Sequence, residues 1–395
     1  MKRLFLSTLL VLFLLVNIIP CQAASQLKIY SLTEQAAQQG QIIWKFTGLG
    51  KTTEDMVMAP NGNLLIPAGG KLICVDSNGR ILWENKTSGG NMGRLVALDN
   101  GSIFSSSGST IQETKFNGAN GWSCSIFSAA KAAKATMLAG GPNSILYMPM
   151  PDALYGINTS GHYTWMLSPW DSSQASASKV LNPYTFLDCT TDKQAFYAVC
   201  GENKGSYKIA AIDTQGKKLW TYWLGDVISA HLLADGKGQL FLVATFKDTS
   251  SGNSSGTDKL NISRVYCFRS ENGKSVWQST YSITDEMTAP CLVGNDVLYV
   301  TGGNKIHALD AGKGTRLWDY TLLNLVSPPI VSLDGQRIYA GSSDNVLYAV
   351  NNTGRLAWSR NLDGAIERVP VSADGSYIYV MTQKGTLYKL LDNVK

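Results

Sequence analysis

Histidines, cysteines and paired carboxylates are the residues of this chain that could do chemistry, because they bind metals, act as nucleophiles or transfer protons. The chain has only three histidines, too few for a histidine-rich metal site unless distant segments converge. His307 stands where related segments have tyrosine, and His162 follows a turn glycine, so we interpret both as structural. His231 falls on a predicted inner strand and stays a candidate for binding.

Six cysteines follow position 23, and none of them shows the CxxC spacing of a metal or redox site. Cys74 and Cys267 align with Ala308 in other repeats, which indicates a slot for a small buried group. The remaining four lie on or beside predicted strands: Cys124, Cys189, Cys200 and Cys291. One disulfide among these four is compatible with an exported protein, and none is predicted.

Two short motifs suggest catalysis and fail on geometry. Gly50-Lys51-Thr52 resembles the end of a phosphate loop, but Lys45 stands where that loop needs its first glycine, and the segment joins two strands. Asp285 and Glu286 could serve a polysaccharide-active enzyme as an acid and base. Adjacent residues on a strand point to opposite faces, which argues against this pair. No catalytic residue is predicted.

The tryptophans define the elements that would have to position these residues. Eight of the ten tryptophans have a glycine four residues earlier. Glycine makes up 38 of 395 residues, so chance would give far fewer such pairs. A spacing near 40 residues is typical of a repeat architecture. The pairs are Gly40/Trp44, Gly79/Trp83, Gly118/Trp122, Gly161/Trp165, Gly216/Trp220, Gly273/Trp277, Gly314/Trp318 and Gly354/Trp358.

Each repeat contains two hairpins, and we name its four strands A to D, with the tryptophan on D. Asn-Gly and Asp-Gly turns between β-branched and aromatic residues favour tight antiparallel hairpins. Gly40 to Phe46 supplies a lone D strand, and Ile366 to Leu391 supplies A, B and C. The sequence therefore predicts an all-β fold: one eight-bladed β-propeller of four-stranded antiparallel blades over residues 40–395, its eighth blade closed by both termini. The glycine and tryptophan pairs would be scaffold.

The segment Ala308-Leu309-Asp310-Ala311-Gly312-Lys313-Gly314-Thr315-Arg316-Leu317-Trp318 resembles the tryptophan-docking repeat of PQQ-type propellers. Shorter copies run from Val75 to Trp83 and from Ile212 to Trp220, and the resemblance covers roughly residues 40–391. One branch of this family comprises quinoprotein dehydrogenases, which hold pyrroloquinoline quinone and calcium beside a vicinal cysteine pair. This chain lacks any Cys-Cys pair, so the resemblance favours the non-enzymatic, BamB-like branch, without a cofactor. A PQQ- and calcium-dependent dehydrogenase is the alternative.

Residues 1–23 are typical of a signal peptide, with Lys2 and Arg3 before an apolar run. We expect cleavage after Ala23, no membrane span thereafter, and export to the periplasm, cell surface or exterior. Pro20 disfavours lipid modification of Cys21. Residues 24–39 would be a spacer with a short capped helix at Ser31 to Glu34. Removing the two basic residues lowers the formal charge from +5 to +3, and no basic run points to nucleic acid.

Strand order predicts the working face. In an A-to-D meander, the D-to-A and B-to-C connections share one face, here named the connection face, and the tight turns share the other, the turn face. Insertions 168–182, 201–207 and 247–263 all fall on the connection face, where loops on a stiff scaffold commonly bind partners. We predict a monomer that binds a protein or carbohydrate there. The candidate residues at the axial funnel are Glu54, Asp55, Arg94, Lys134, His231, Asp285, Glu286, Glu367 and Arg368.

Overall fold

The structure is a computed structural model of the 395-residue chain. It describes residues 39–52, 54–86, 92–126, 137–167, 185–201, 207–247, 261–283, 285–294, 296–324, 327–332, 334–366, 368–372 and 375–392, without the side chains of 279–281, 293 and 368–372. The signal peptide, the spacer helix and the cleavage site predicted before residue 39 lie outside these ranges.

The first strand of the chain is β1 (Ile42–Phe46), and four complete blades follow it. Blade 1 contains β2 (Val57–Met58), β3 (Leu64–Ala68), β4 (Lys71–Val75) and β5 (Ile81–Lys86). Blade 2 contains β6 (Val96–Ala97), β7 (Ser102–Ser107), β8 (Thr110–Lys115) and β9 (Asn120–Ser125). Blade 3 contains β10 (Ala139–Gly140), β11 (Ile145–Pro149), β12 (Leu154–Asn158) and β13 (Tyr163–Leu167). Blade 4 contains β14 (Thr185–Thr191), β15 (Phe196–Gly201), β16 (Tyr207–Ile212) and β17 (Lys218–Gly225).

The second half of the chain forms four more sheets. Blade 5 contains β18 (Val227–Ala234), β19 (Gln239–Lys247), β20 (Asn261–Arg269) and β21 (Ser275–Ile283). Blade 6 contains β22 (Cys291–Val293), β23 (Val297–Gly302), β24 (Lys305–Asp310) and β25 (Arg316–Thr321). Blade 7 contains β26 (Ile330–Val331), β27 (Arg337–Gly341), β28 (Val346–Asn351) and β29 (Leu356–Asn361). Blade 8 contains β30 (Arg368–Ser372), β31 (Tyr377–Met381), β32 (Leu387–Leu391) and, at its outer edge, β1.

The prediction of eight four-stranded blades closed by both termini is confirmed. In blade 8, Ile42 pairs with Leu390 and Phe46 pairs with Leu387 in antiparallel register. This pairing leaves no blade incomplete, since every sheet has four hydrogen-bonded strands. Besides the strands, the described residues include one short 3₁₀ helix, Pro142–Ser144. Within the same ranges, no helix is long and apolar enough to cross a membrane.

The repeated tryptophans join neighbouring blades. Each indole packs over the turn glycine of the following blade, where a Cβ atom would lie at most 3.0 Å from the ring. These glycines have φ angles of +69° to +86°, a left-handed backbone that glycine adopts without strain. The contacts are Trp44 on Gly79, Trp83 on Gly118, Trp122 on Gly161, Trp165 on Gly216, Trp220 on Gly273, Trp277 on Gly314, Trp318 on Gly354 and Trp358 on Gly40.

The core lies between the blades. In seven blades the docking tryptophan also contacts an aromatic ring on strand B of its own blade, such as Tyr299 for Trp318, 5.8 Å between ring centroids. Cys74 and Cys267 are buried, as expected for packing positions, and the six described cysteines form no disulfide with one another. Burial raises the pKa of the Cys267 thiol to about 12. Cys74 and Cys267 are therefore core residues and poor nucleophiles.

His307 is a structural residue, as the alignment indicated. Its ring is fully buried on β24, and Nδ1 lies 2.9 Å from Asp319 Oδ1 while Nε2 lies 3.0 Å from the Gly302 carbonyl. Arg316 Nη1 lies 2.9 Å from the other oxygen of Asp319. The group ties the two outer strands of blade 6 together. His162 is exposed beside its turn, also as expected.

Candidate functional site

The A strands meet around the propeller axis and position the candidate site. Strands β10, β14 and β18 contact one another in succession, as do β22, β26 and β30. A-strand residues in adjacent blades are therefore brought together although they are about 40 residues apart in sequence. The connections that precede these strands all open on the connection face.

Arg94 crosses from blade 2 to blade 4. It lies between β5 and β6, and its Nη2 donates to Asp188 Oδ1 at 2.8 Å while Nη1 donates to the Cys189 carbonyl at 2.7 Å. The Arg94 side chain thus passes over blade 3, whose strand A is only the two-residue β10. A Cβ on Gly140 of that strand would lie 2.7 Å from Val96 Cγ1, so the missing side chain lets β10 approach blade 2 closely.

Asp188 is the centre of this contact, and the sequence interpretation missed it. Its Oδ1 also accepts the Cys189 amide at 2.8 Å, and its Oδ2 accepts the Leu232 amide of blade 5 at 2.9 Å. One carboxylate thus joins blades 2, 4 and 5. The only sequence signal was a lone aspartate within a predicted inner strand, where a charge is unusual without partners.

His231 lies on the innermost strand of blade 5, as predicted, beside this carboxylate. Its Nδ1 is 4.0 Å from Asp188 Oδ2, and 32 % of its side chain is exposed. Burial lowers the pKa of His231, outweighing the opposing effect of Asp188 and Glu286, so its imidazole is neutral near neutral pH. The ring therefore offers the axis a neutral hydrogen-bonding group.

Arg94 keeps its charge. Burial alone would lower its pKa, but Cys189, Asp188 and Asp55 raise it, so the guanidinium stays protonated. It remains 38 % exposed, against 10 % for Asp188. We name the set Arg94, Asp188 and His231, with the nearby Asp55 and Glu286, the axial cluster. His231, Asp55 and Glu286 were all predicted to bind a ligand, and they lie close to Arg94, to Asp188 or to one another.

Asp285 and Glu286 lie in the connection between β21 and β22 and not on a strand, so the alternation of side chains along a strand, on which the sequence argument rested, does not apply to them. Glu286 acts electrostatically on His231. The Asp285 carboxylate lies beside the turn between β23 and β24 of blade 6, where a Cβ on Gly303 would be 3.0 Å from its Oδ2.

The remaining predicted residues are only partly placed. Glu54 is half-buried in the connection before β2. Arg368 begins β30, and its backbone pairs with Met381, but its side chain is not described. Lys134 and Glu367, together with insertion 168–182 and most of insertions 201–207 and 247–263, lie outside the described residues.

A second concave region lies on the turn face, where the sequence gave no reason to expect one. This cleft, of about 810 Å³, is lined by turns of blades 4, 5 and 6, including Gln194, Asp235, Arg269, Glu271, Asp296 and Asp310. Asp235 Oδ1 already accepts the amides of Lys237 and Gln239. Asp310 Oδ1 accepts those of Gly312 and Lys313. Asp235 and Asp310, two carboxylates of the cleft, therefore stabilise the turns in which they lie.

The fold and the docking tryptophans define a class, the eight-bladed propellers with tryptophan-docked blades. Residues 30–226 and 261–392 match the family model described as "Outer membrane protein assembly factor BamB", and the chain belongs to this family. The resemblance to PQQ-type propellers of the BamB-like branch is thus confirmed. No curated protein matches the chain.

Two solved structures show the same fold. BamB from Moraxella catarrhalis is 15 % identical with a TM-score of 0.54, and the alignment covers 86 % of this chain and 99 % of that one. The computationally designed Ika8 protein is 13 % identical with a TM-score of 0.62, covering 87 % of this chain and 97 % of that one. A natural and a designed chain thus share this architecture at low identity.

Proposed function

We propose that this protein is an exported, non-catalytic propeller of the cell envelope that binds a partner protein on its connection face. The observation that carries the proposal is membership of a family described as an outer membrane assembly factor. A stiff ring of docked blades with its axial cluster at one mouth suits a scaffold whose loops contact another chain.

The charge of the mouth suggests which part of a partner would bind. The described acidic side chains there are Glu54, Asp55, Asp188, Asp285 and Glu286, against the described cations Arg94 and Lys51 in the same connections. Asp188 is neutralised by Arg94, whereas Asp55, Asp285 and Glu286 are exposed. A segment carrying lysine or arginine would complement this surface, and the attraction would weaken with salt.

The chemistry of the axial cluster supports a role in binding over catalysis. Asp188 accepts three hydrogen bonds, one each from blades 2, 4 and 5, so its carboxylate is engaged in holding these blades together. A calcium-bound quinone would need carboxylate and amide ligands that converge. Among the described residues, no three His, Cys, Asp or Glu side chains lie close enough to hold a metal ion. The described residues thus give no support to the dehydrogenase alternative.

Photocrosslinking in cells tests the proposal. A photoreactive residue at Asp55 or Glu286 should give a discrete protein adduct, and one at exposed Asn78 on the turn face should not. Reversing both charges, Asp55→Lys with Glu286→Lys, should reduce the adduct, whereas Glu271→Lys on the turn face should leave it unchanged. Adducts with glycans alone, or equal protein adducts from both faces, would contradict the proposal.

Two further measurements address export and the alternative. The amino terminus of the protein recovered from the envelope fraction should be Ala24. Purified protein incubated with pyrroloquinoline quinone and calcium should give no stoichiometric quinone spectrum and no dye reduction with alcohols or sugars. A bound quinone would establish the dehydrogenase instead.

A further inference from the structure

The joint between blades 1 and 2 differs from the other seven joints of the ring in its polarity. Ser105 on strand B and Thr114 on strand C of blade 2 face blade 1. In the other seven blades, the residues at the same two positions are apolar and buried against the preceding blade, for example Val300 and Leu309 in blade 6. The joint between blades 1 and 2 therefore buries less apolar surface at its centre, which weakens the hydrophobic attraction between these blades.

A polar cavity of about 100 Å³ lies in this joint. Its walls include Asn85 of blade 1 and Ser105, Ser107, Gln112 and Thr114 of blade 2. Hydroxyl and amide groups hydrogen-bond water, and this volume corresponds to about three water molecules. Solvent can thus be accommodated between these two blades at little cost, whereas it would have to enter apolar surroundings at the other joints.

The joint is fastened at its turn-face end. Trp83 packs on Gly118, and its Nε1 donates to the Phe116 carbonyl at 2.9 Å. Asn85 Nδ2 donates to the Gly118 carbonyl at 2.9 Å. The polar stripe instead continues to Ser107, the last residue of β7, at the connection-face end. The contacts at the turn face could therefore act as a hinge about which the opposite end opens.

The connection from β5 to β6 bridges the connection-face end of this joint. Its Met92 and Leu95 are buried in the apolar inner part of the joint. Arg94 of the same connection is bonded to Asp188 and so holds blade 2 to blade 4. Asp55, which raises the pKa of Arg94, precedes β2 and belongs to blade 1. A movement of blade 1 away from blade 2 would therefore change the spacing between Asp55 and Arg94 at the axial mouth.

We propose that the ring opens first at the joint between blades 1 and 2, hinged on the turn-face contacts of Trp83, while the seven apolar joints stay closed. Proteins open locally where few apolar contacts hold neighbouring elements together, at a lower free energy than global unfolding requires. The ring thus contains one joint that solvent enters without unfolding of the chain. Its opening widens the axial mouth on the side of blade 1.

Two cysteines in the same repeat position offer an internal comparison. Cys74 pairs with Trp83 in blade 1 and faces the polar joint, two residues after Leu72, which lines the cavity. Cys267 pairs with Trp277 in blade 5 and faces the apolar joint between blades 5 and 6. The two residues are 1 % and 0 % exposed. Each thiol can therefore react only when its surroundings open.

Thiol labelling of the native full chain tests the proposal. Iodoacetamide at about pH 8 modifies exposed cysteines, and mass spectrometry of the peptides reports Cys74 and Cys267 separately. Cys74 should be labelled about tenfold faster or more, because global unfolding exposes both thiols equally and opening of the joint exposes only Cys74. Equal rates, or faster labelling of Cys267, would overturn the proposal.

A variant with an apolar joint links the labelling to the polar residues. Ser105→Val with Thr114→Val gives blade 2 the apolar pair of its counterparts, so the Cys74 rate should fall about fivefold or more while the Cys267 rate is unchanged. Ser359→Val, at an exposed position of β29, is the matched control and should change neither rate. A Cys74 rate equal to or above that of the parent in the double variant would contradict the proposal. If the double variant does not fold, Thr114→Val alone should still lower the Cys74 rate.

Discussion

The indole ring of Trp220 lies against Gly273, a residue of the next blade, and leaves no room for a side chain there. A Cβ on Gly273 would lie 2.4 Å from Trp220 Cε3. The indole Nε1 donates to the Ser270 carbonyl of the same turn at 2.8 Å. Ring packing and a hydrogen bond thus join blade 4 to blade 5, and the ring packing recurs at all eight joints.

Replacing a docking glycine should cost more stability than replacing a turn glycine that docks nothing. Gly273 and Gly236 belong to the same blade and have φ angles of +69° and +70°, but a Cβ on Gly236 would meet nothing within 4 Å. Gly236→Ala should destabilise by about 1–2 kcal/mol, the cost of a left-handed alanine. Gly273→Ala should cost about 1–3 kcal/mol more because of the clash with Trp220. Urea unfolding of both variants measures the difference, and equal losses would contradict the docking role.

The two classes of tryptophan should respond differently to truncation. Trp165 packs on Gly216 and donates to the Thr214 carbonyl at 2.8 Å, whereas Trp223 is 64 % exposed. Trp165→Ala should destabilise the protein by about 3–5 kcal/mol, as for other large aromatic deletions. Trp223→Ala should cost at most about 1 kcal/mol, since it loses only an exposed contact with Lys208. Thermal unfolding of the two variants should separate them clearly.

The axial contact between Arg94 and Asp188 should be measurable by a double-mutant cycle. Asp188→Ala should destabilise by about 2–4 kcal/mol, because it removes an acceptor for three donors and leaves Arg94 unpaired. Arg94→Ala should cost less, about 1 kcal/mol, since this side chain is 38 % exposed and screened by solvent. The coupling energy from the cycle should exceed about 0.5 kcal/mol. Strict additivity would show that the cross-axis contact does not form in solution.

Stability should depend on the ionisation of Asp319 in blade 6. Burial alone would raise the pKa of Asp319, but His307 and Arg316 outweigh this and lower it below its ordinary value of 3.8. The folded state therefore favours the carboxylate. The stability that the Asp319 carboxylate contributes is complete above its ordinary pKa. It is lost as the pH falls through the lower pKa of the folded state.

The Asp319→Asn variant should consequently be less stable than the parent at pH 7, and the difference should shrink as the pH falls below about 4. Urea unfolding at several pH values measures it. Asp226→Asn is the control, because Asp226 is 47 % exposed and lies 3.9 Å from Lys247, a pair that contributes little. A constant difference across the pH range would contradict the assigned role of Asp319.

Much of the candidate site could be foreseen from strand order, and its centre could not. His231 was expected near the axis because it falls on an A strand, and Asp55, Arg94 and Glu286 because they precede A strands. Asp188 carries no motif and stands in the middle of strand β14 between Leu187 and Cys189. It became central only because Arg94 reaches it from two blades away, 94 residues earlier in the chain.

The sequence by itself determined the number of blades, their four strands and their closure by the two termini. These are local properties, since tight turns need glycine or asparagine and each strand carries its own alternation of side chains. The pairing of Gly314 with Trp318 in sequence, however, is not a contact. Only the tertiary structure decided that Trp318 docks on Gly354 and that Arg94 meets Asp188, because each contact depends on which blades become neighbours once the ring closes.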